Sequence, residues 1–150
     1  MPATWSKLWA HYVFSTKRRE HVLSPDICTR LYPFLGGITR EFKCTSVQIG
    51  GISDHVHMLV LMRPDVAPSF LMQKVKGRSS TWMHETFPEL SRFSWQVGYG
   101  AFSVSESMVE KVKQYIQNQE AHHRRDDSRT EYLRLLSSHG LDLGDEGEIE

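Results

Sequence analysis

Residues 55–62 read HVHMLVLM, an apolar run that begins with two histidines one residue apart. An apolar run of this length is typical of a buried β-strand. Successive side chains of a strand point to opposite faces, so His55 and His57 lie on one face while Val56 lies on the other. The two imidazoles are then about 7 Å apart on a rigid element. Either histidine alone is more often a structural residue, but the pair can bind one metal ion.

The segments around this strand alternate between strands and helices. Residues 43–49 place alternate apolar side chains on one face, and the glycine pair at 50–51 predicts the turn of a hairpin with the 55–62 strand. Ser24 followed by Pro25 predicts the start of a helix. The other predicted elements are a strand over 5–15, a helix over 68–87, a strand over 95–104, and a helix over 107–124 that a capping box opens.

The order β-α-β-β-α-β, followed by one more helix, predicts an α+β, ferredoxin-like (RRM-like) fold, with one antiparallel sheet, helices packed on it, and an added C-terminal helix. We treat residues 1–125 as a single domain and residues 126–150 as an acidic C-terminal extension that is partly flexible. Residues 1–125 carry 16 Lys and Arg against 10 Asp and Glu, whereas residues 126–150 carry 2 against 8. A basic body of this kind suits a polyanionic partner, although a solvated tail without a role would give the same balance.

The final helix carries a second group of candidate functional residues. Tyr115 and Gln119 are one helical turn apart, in a stripe that also contains Met108, Val112 and His122. A carboxamide oxygen suits Mg²⁺ or Mn²⁺, and a tyrosine can act as a covalent nucleophile. Taken singly, Tyr115 also fits a half-buried core aromatic and Gln119 a solvated side chain. His122 and His123 are rival ligands, and Asp54 is a turn residue that could also support a ligand.

Two basic segments could contact nucleic acid. Lys17, Arg18 and Arg19 follow the first strand, while Lys76 and Arg78 flank Gly77 in the second helix. A glycine within a helix costs about 1 kcal/mol relative to alanine, so its presence favours a close approach by another backbone. That backbone could be a phosphodiester or a packed strand. The four Trp, five Tyr and seven Phe residues include candidates for base stacking.

The composition excludes several classes of protein. Hydrophobic residues make up 39% and charged residues 24% of the 150 residues, which is typical of one globular domain rather than a disordered chain. No apolar stretch is long enough for a membrane span, and the N-terminus lacks the apolar core of a signal peptide. The two cysteines form no CxxC pair, so we expect a reducing cytoplasm, with association to the nucleoid when DNA is bound.

Together these motifs resemble the single-tyrosine HUH transposases of the IS200-like insertion-sequence group. The matching elements occur in the order typical of that family and cover roughly residues 5–125. They are HYVFSTKRRE, SDHVHMLV, KGRSS, TFPEL, WQVGYGAFSVS and VKQYIQNQEAHH, and the later YLRLLSSHGLDL is similar to the family's C-terminal extension. The paired histidines followed about 55 residues later by YIQNQ are the most specific feature of the resemblance.

The resemblance implies an enzyme that cuts and rejoins DNA. His55, His57 and Gln119 would hold a divalent metal ion, Mg²⁺ or Mn²⁺, at the scissile phosphate of single-stranded DNA. Tyr115 would attack that phosphate, leaving a 5′-phosphotyrosine and a free 3′-hydroxyl. The resemblance also implies a homodimer that recognises hairpins near the ends of the element, with the tyrosine acting in cis or in trans. The chain has no GxxxxGK[ST] loop, so we expect no nucleotide cofactor.

Three alternatives remain open at the level of sequence. A non-catalytic RRM-like module could share this order of elements, although it would have no use for the histidine pair and the tyrosine with its glutamine. A domesticated relative could nick host hairpin repeats with the same residues. A metal-dependent hydrolase could use water as the nucleophile and keep Tyr115 for structure.

Overall fold

The computed structural model describes residues 3–123 and 127–142. Four strands and five α-helices lie along this part of the chain. The strands are β1 (Leu8–Ser15), β2 (Thr45–Ile52), β3 (His55–Met62) and β4 (Gly100–Val104). The helices are α1 (Pro25–Glu41), α2 (Pro68–Thr86), α3 (Val109–Gln117), α4 (Gln119–His123) and α5 (Ser128–Ser138).

The four strands form one antiparallel sheet in the order β2-β3-β1-β4. The first strand is therefore inside the sheet, and it pairs with β3 on one side and with β4 on the other. Val13 lies opposite His57 on β3 and opposite Gly100 on β4. The β-α-β-β-α-β order with this strand arrangement is the ferredoxin-like fold, so the predicted fold class is confirmed.

The two faces of the sheet have different roles. Tyr12 and Phe14 of β1, with Val56 and Met58 of β3, are buried against α1 and α2 in the main hydrophobic core. The alternate side chains of the same strands point to the opposite face. Val13 and Phe102 there form a smaller apolar cluster with Leu136 of α5. This second face also carries both histidines of β3.

The hairpin turn lies later in the chain than the sequence predicted. Gly50 and Gly51 belong to β2, and the turn is made by Ser53 and Asp54. A Cβ atom at Gly50 would lie 2.6 Å from the backbone oxygen of Ile116, so this glycine lets α3 cross close over β2. Gly50 therefore serves helix packing, whereas a Cβ at Gly51 would lie 2.1 Å from the backbone oxygen of His55 on β3. Neither glycine makes the chain reversal, so the prediction of a turn at 50–51 was wrong.

Other boundaries also differ from those predicted. The final helix begins at Val109, where no side-chain cap is formed by the described residues, so the predicted capping box is wrong. The helix is interrupted at Asn118 and resumes as α4. The fourth strand begins at Gly100, since Trp95 makes only an isolated bridge with Thr16.

Helix α5 lies within the segment that we predicted as a partly flexible extension. Asp127 caps its start by accepting a hydrogen bond from the backbone N–H of Thr130 at 2.7 Å. Tyr132 and Leu135 pack with the buried Leu136 against the second face of the sheet. Residues 124–126 and 143–150 of the predicted extension lie outside the described residues, and the division of the chain at 125 stays a prediction. None of the described helices has the length and apolar character needed to cross a membrane.

Candidate metal centre and nucleophile

His55 and His57 share the second face of the sheet, as the alternation of strand side chains predicts. Both are buried, with exposed fractions of 1% and 0%. The intervening Val56 points into the main core. The two ring centroids are 4.9 Å apart, so the imidazoles converge rather than standing parallel along the strand.

A carboxylate that sequence reasoning missed completes this cluster. Glu131 of α5 places Oε1 2.9 Å from His57 Nε2 and 3.3 Å from His55 Nε2. One donor atom from each of the three side chains lies within 4.8 Å of the others, so the buried cluster could hold a metal ion. Two imidazole nitrogens and a carboxylate oxygen are donors suited to a divalent cation.

Tyr115, near the end of α3, and Gln119, at the start of α4, reach the same cluster. The Gln119 side chain is 1% exposed, and its Oε1 lies 2.9 Å from His55 Nε2. The hydroxyl of Tyr115 donates a hydrogen bond to Glu131 Oε2 at 2.5 Å. The structure therefore brings together the four residues that the sequence predicted for the centre, with Glu131 between the histidines and the tyrosine.

Buried polar partners orient both histidines. Asp54 accepts a hydrogen bond from His55 Nδ1 at 2.8 Å, and the hydroxyl of Ser128 donates to the same carboxylate. His11 Nε2 lies 2.8 Å from His57 Nδ1, and the two rings stack. Because the Nδ1 atoms are engaged in this way, each imidazole presents Nε2 to the centre. Asp54 thus lies in the hairpin turn and also orients His55, so its contacts fit both roles that the sequence left open.

The charges within the cluster are strongly coupled. Burial opposes the charged form of His55, but hydrogen bonds with Asp54 and Glu131 outweigh it and raise its pKa to about 9. Burial lowers the pKa of His57 to about 4. Burial works against the Glu131 carboxylate, yet its hydrogen bonds with the surrounding histidines hold its pKa far below the usual range. Burial, together with the hydrogen bond to Glu131, raises the pKa of Tyr115.

His123 also lies beside the centre, while the side chain of its neighbour His122 is outside the described residues. His123 Nε2 is 3.3 Å from Glu131 Oε2 and 3.2 Å from Gln119 Oε1. Its ring makes an edge contact with His55 at a centroid distance of 4.6 Å. His123 therefore contacts the cluster beside Gln119 and Glu131.

Helix α5 carries a pattern that could have revealed Glu131. Its inward stripe recurs at intervals of three and four residues and comprises Ser128, Glu131, Tyr132, Leu135 and Leu136. A carboxylate within an otherwise apolar stripe is unusual, because a buried charge is costly unless it is paired. Nothing in the sequence, however, shows which distant residues pair with it.

The first group of predicted DNA-binding residues directly follows a residue that contacts Asp54, since the backbone N–H of Thr16 donates to the Asp54 carbonyl at 2.9 Å. Lys17, Arg18 and Arg19 form a tight turn after β1, where Arg18 and Arg19 have the left-handed φ values of 56° and 54°. Lys17 and Arg18 are exposed. A non-glycine residue in this conformation is uncommon, and two in succession mark a specialised turn.

Lys76 and Arg78 make contacts within the protein on α2, across the sheet from the histidines. Lys76 Nζ donates to the backbone oxygens of Gln96 at 2.6 Å and of Gly98 at 2.7 Å. Arg78 forms an ion pair with Glu41. At Gly77, no atom of the described residues would lie within 4 Å of an added Cβ. Protein packing in the described part of the chain therefore does not explain this glycine.

Comparisons with known proteins agree with one another. The family model of IS200-like transposases matches residues 4–119. The ISDra2 transposase TnpA of Deinococcus radiodurans is 25% identical over 114 residues, which are 73% of this chain and 81% of the relative. The IS200 transposase of Salmonella typhimurium is 33% identical over 114 residues, with coverages of 73% and 74%.

Solved structures that match this chain also include transposases. The crystal structure of a Deinococcus radiodurans R1 protein assigned as a transposase matches with a TM-score of 0.64 and 27% identity, over 79% of this chain and 95% of that one. A REP-associated tyrosine transposase bound to a REP hairpin matches with a TM-score of 0.62, over 95% of this chain and 87% of that one. Its identity of 13% supports the shared fold only.

Proposed function

This chain belongs to the IS200-like transposase family, and on that premise we propose that it cuts and rejoins single-stranded DNA through a covalent bond to Tyr115. One observation carries the proposal. The Tyr115 hydroxyl is hydrogen-bonded to Glu131, whose other carboxylate oxygen faces His55 and His57. A potential nucleophile thus stands beside donors suited to a metal ion, which is the arrangement required for attack on a bound phosphodiester.

The chemistry of the donor set fits a divalent cation. We propose His55, His57 and Gln119 as ligands, as the resemblance implies, and we add Glu131 as a further ligand from α5. Their donor atoms are buried and directed at one another. The two oxygen donors favour Mg²⁺ or Mn²⁺. An ion held there would act as a Lewis acid toward the phosphate oxygens.

The protein's own residues account for the proposed cleavage step. Tyr115 Oη attacks the scissile phosphorus, and the bond from phosphorus to the 3′ oxygen breaks. The phenol proton leaves along its hydrogen bond to Glu131 Oε2 and passes on to solvent, because a carboxyl of such low pKa does not retain it. The departing 3′ oxygen takes up a proton from solvent. The strand on the 3′ side stays joined to Tyr115 through its 5′-phosphate. Attack by another 3′-hydroxyl reverses these changes and rejoins DNA without ATP.

The DNA partner follows from the same premise. We propose that Lys17, Arg18 and Arg19 bind phosphates, because they are consecutive cations in one tight turn and Lys17 and Arg18 are exposed. We also propose that Lys76 and Arg78 contact DNA phosphates, although each already has a partner in the protein. Recognition of a hairpin and assembly as a homodimer are proposals from the family resemblance.

A labelled-DNA experiment tests the proposal. The protein is incubated with Mg²⁺ and labelled single-stranded oligonucleotides from the flanks of its own gene, then run on a denaturing protein gel. We expect the label to stay with the protein, and to be lost from Tyr115→Phe or after chelation. Tyr99→Phe, which alters a tyrosine packed on the main core, should retain the adduct. If the DNA is cleaved without forming an adduct, and if Tyr115→Phe still cleaves it, then water is the nucleophile.

A further inference from the structure

A cavity of about 380 Å³ adjoins the side of Tyr115 that faces away from α2 and the main core. One face of α3, the end of β4 and the inner face of α5 form its walls. Tyr115 contributes to the lining, as does His11, the residue that contacts His57. The cavity is therefore continuous with the proposed reaction centre while lying outside the ligand cluster.

The α3 wall is a single helical stripe. Met108, just before α3, and Lys111, Val112 and Tyr115 of α3 are spaced by three, one and three residues, and all four line the cavity. Tyr115 lies at one end of the stripe and Met108 at the other. Seven residues of helix correspond to about 10 Å, so the cavity runs roughly that distance from the nucleophile.

The lining combines apolar surface with a few polar groups. Met108, Val112 and Leu135 supply the apolar area, and Met108 is a large side chain that remains 43% exposed. His139 adds a flat ring, which stacks on Phe102 at a centroid distance of 4.5 Å. Apolar and aromatic walls of this kind accept the face of a nucleobase, whatever its identity.

Polar groups at the cavity suit the remainder of a nucleotide. Ser105 places a hydroxyl group just beyond the end of β4, and the exposed Lys111 adds a positive charge on α3. Hydroxyls can bond to a sugar, and a lysine can neutralise a phosphate. The volume lies near the lower end of the range for small-ligand sites, about 300–1,000 Å³, so it suits one nucleoside rather than a duplex.

We propose that this cavity binds the nucleoside that becomes joined to Tyr115 through its 5′-phosphate, the first one on the 3′ side of the cleaved bond. This inference rests on the proposed function, since the covalent bond is what requires this nucleoside to stay beside Tyr115. The nucleoside on the other side of the bond leaves with the free 3′-hydroxyl. Lys111 would then meet the next phosphate along the retained strand.

Equilibrium binding tests the cavity without requiring cleavage. The probe is a short 5′-phosphorylated single strand with a fluorescent 3′ end, and its affinity for the protein is measured by anisotropy. Removing the first base should weaken binding about 5- to 150-fold, the range for loss of one stacked base, whereas removing the third base should have little effect. Equal effects at both positions would overturn the proposal.

A matched pair of variants locates the effect. Val112→Trp fills the cavity and should abolish the dependence on the first base, while Gln114→Trp adds the same side chain to the exposed face of α3 and should preserve it. Thermal unfolding shows whether each variant folds. If Val112→Trp does not fold, the comparison of first-base and third-base removal in the wild-type protein tests the proposal. A first-base effect that survives in folded Val112→Trp would place the base elsewhere.

The adduct assay separates this inference from the proposed function. A wild-type protein that forms no adduct on any flank but discriminates the first base would contradict the proposed cleavage while supporting the cavity. A protein that forms the Tyr115 adduct but binds first-base-deleted strands normally would support the cleavage and contradict the cavity.

Discussion

Replacing Glu131 by glutamine removes one negative charge from the histidine cluster while keeping the size of the side chain. Its Oε1 lies 2.9 Å from His57 Nε2, in the space toward which the proposed ligand atoms point. Loss of a group that merely orients a ligand weakens metal binding about 10- to 100-fold. Loss of a charged ligand should cost at least this much, which is about 1.4–2.8 kcal/mol.

Calorimetric titration of the metal-free protein with Mn²⁺ measures this loss directly. Glu120→Gln is the matched control, because Glu120 is an exposed glutamate on α4. It should leave the affinity unchanged, whereas Glu131→Gln should weaken it by the stated factor. An unchanged affinity in Glu131→Gln would refute the assignment of this carboxylate as a ligand.

The same variant has a second, spectroscopic consequence. Burial and the hydrogen bond to the Glu131 carboxylate raise the pKa of Tyr115, so removing the negative charge should lower that pKa. Ultraviolet titration of the phenolate, taken as the difference from the corresponding Tyr115→Phe protein, reports this shift. A Tyr115 pKa that does not fall would show that the two side chains do not interact in solution.

Three further predictions follow from the contacts around the centre. The affinity for Mn²⁺ should rise about tenfold per pH unit between about pH 6 and pH 8, because His55, with its pKa of about 9, must lose a proton to bind the ion. An affinity for Mn²⁺ that does not change over this pH range would contradict the prediction. Asp54→Asn should weaken Mn²⁺ binding about 10- to 100-fold, whereas the exposed Asp65→Asn should not. Lys76→Ala should speed amide hydrogen exchange at Gln96–Gly98, since Lys76 holds that loop; unchanged exchange would argue against that restraint.

Local patterns were sufficient to predict the fold and four of the five residues of the centre. The alternation in HVHMLVLM placed both histidines on one face, and the helical spacing placed Tyr115 one turn before Gln119. Each prediction depends on residues close together in the chain, where the period of the element decides orientation. The structure brings both pairs to one place, as the resemblance implied.

Glu131 could not be predicted because its role depends on contacts between distant segments. It is 74 residues from His57, and its charge was counted as part of an acidic tail. The glycine pair at 50–51 was misinterpreted for a similar reason. Its sequence fits a turn, yet the requirement at Gly50 comes from the backbone of Ile116 on another element.

Mass spectrometry of the reaction product tests the central claim most directly. The protein is incubated with Mg²⁺ and an oligonucleotide that it cleaves, and its intact mass is measured before peptide mapping. The proposed mechanism predicts an added mass equal to the 3′ fragment of the oligonucleotide, located on the peptide that contains Tyr115. Cleavage products with an unmodified protein, or an adduct on another residue, would contradict it.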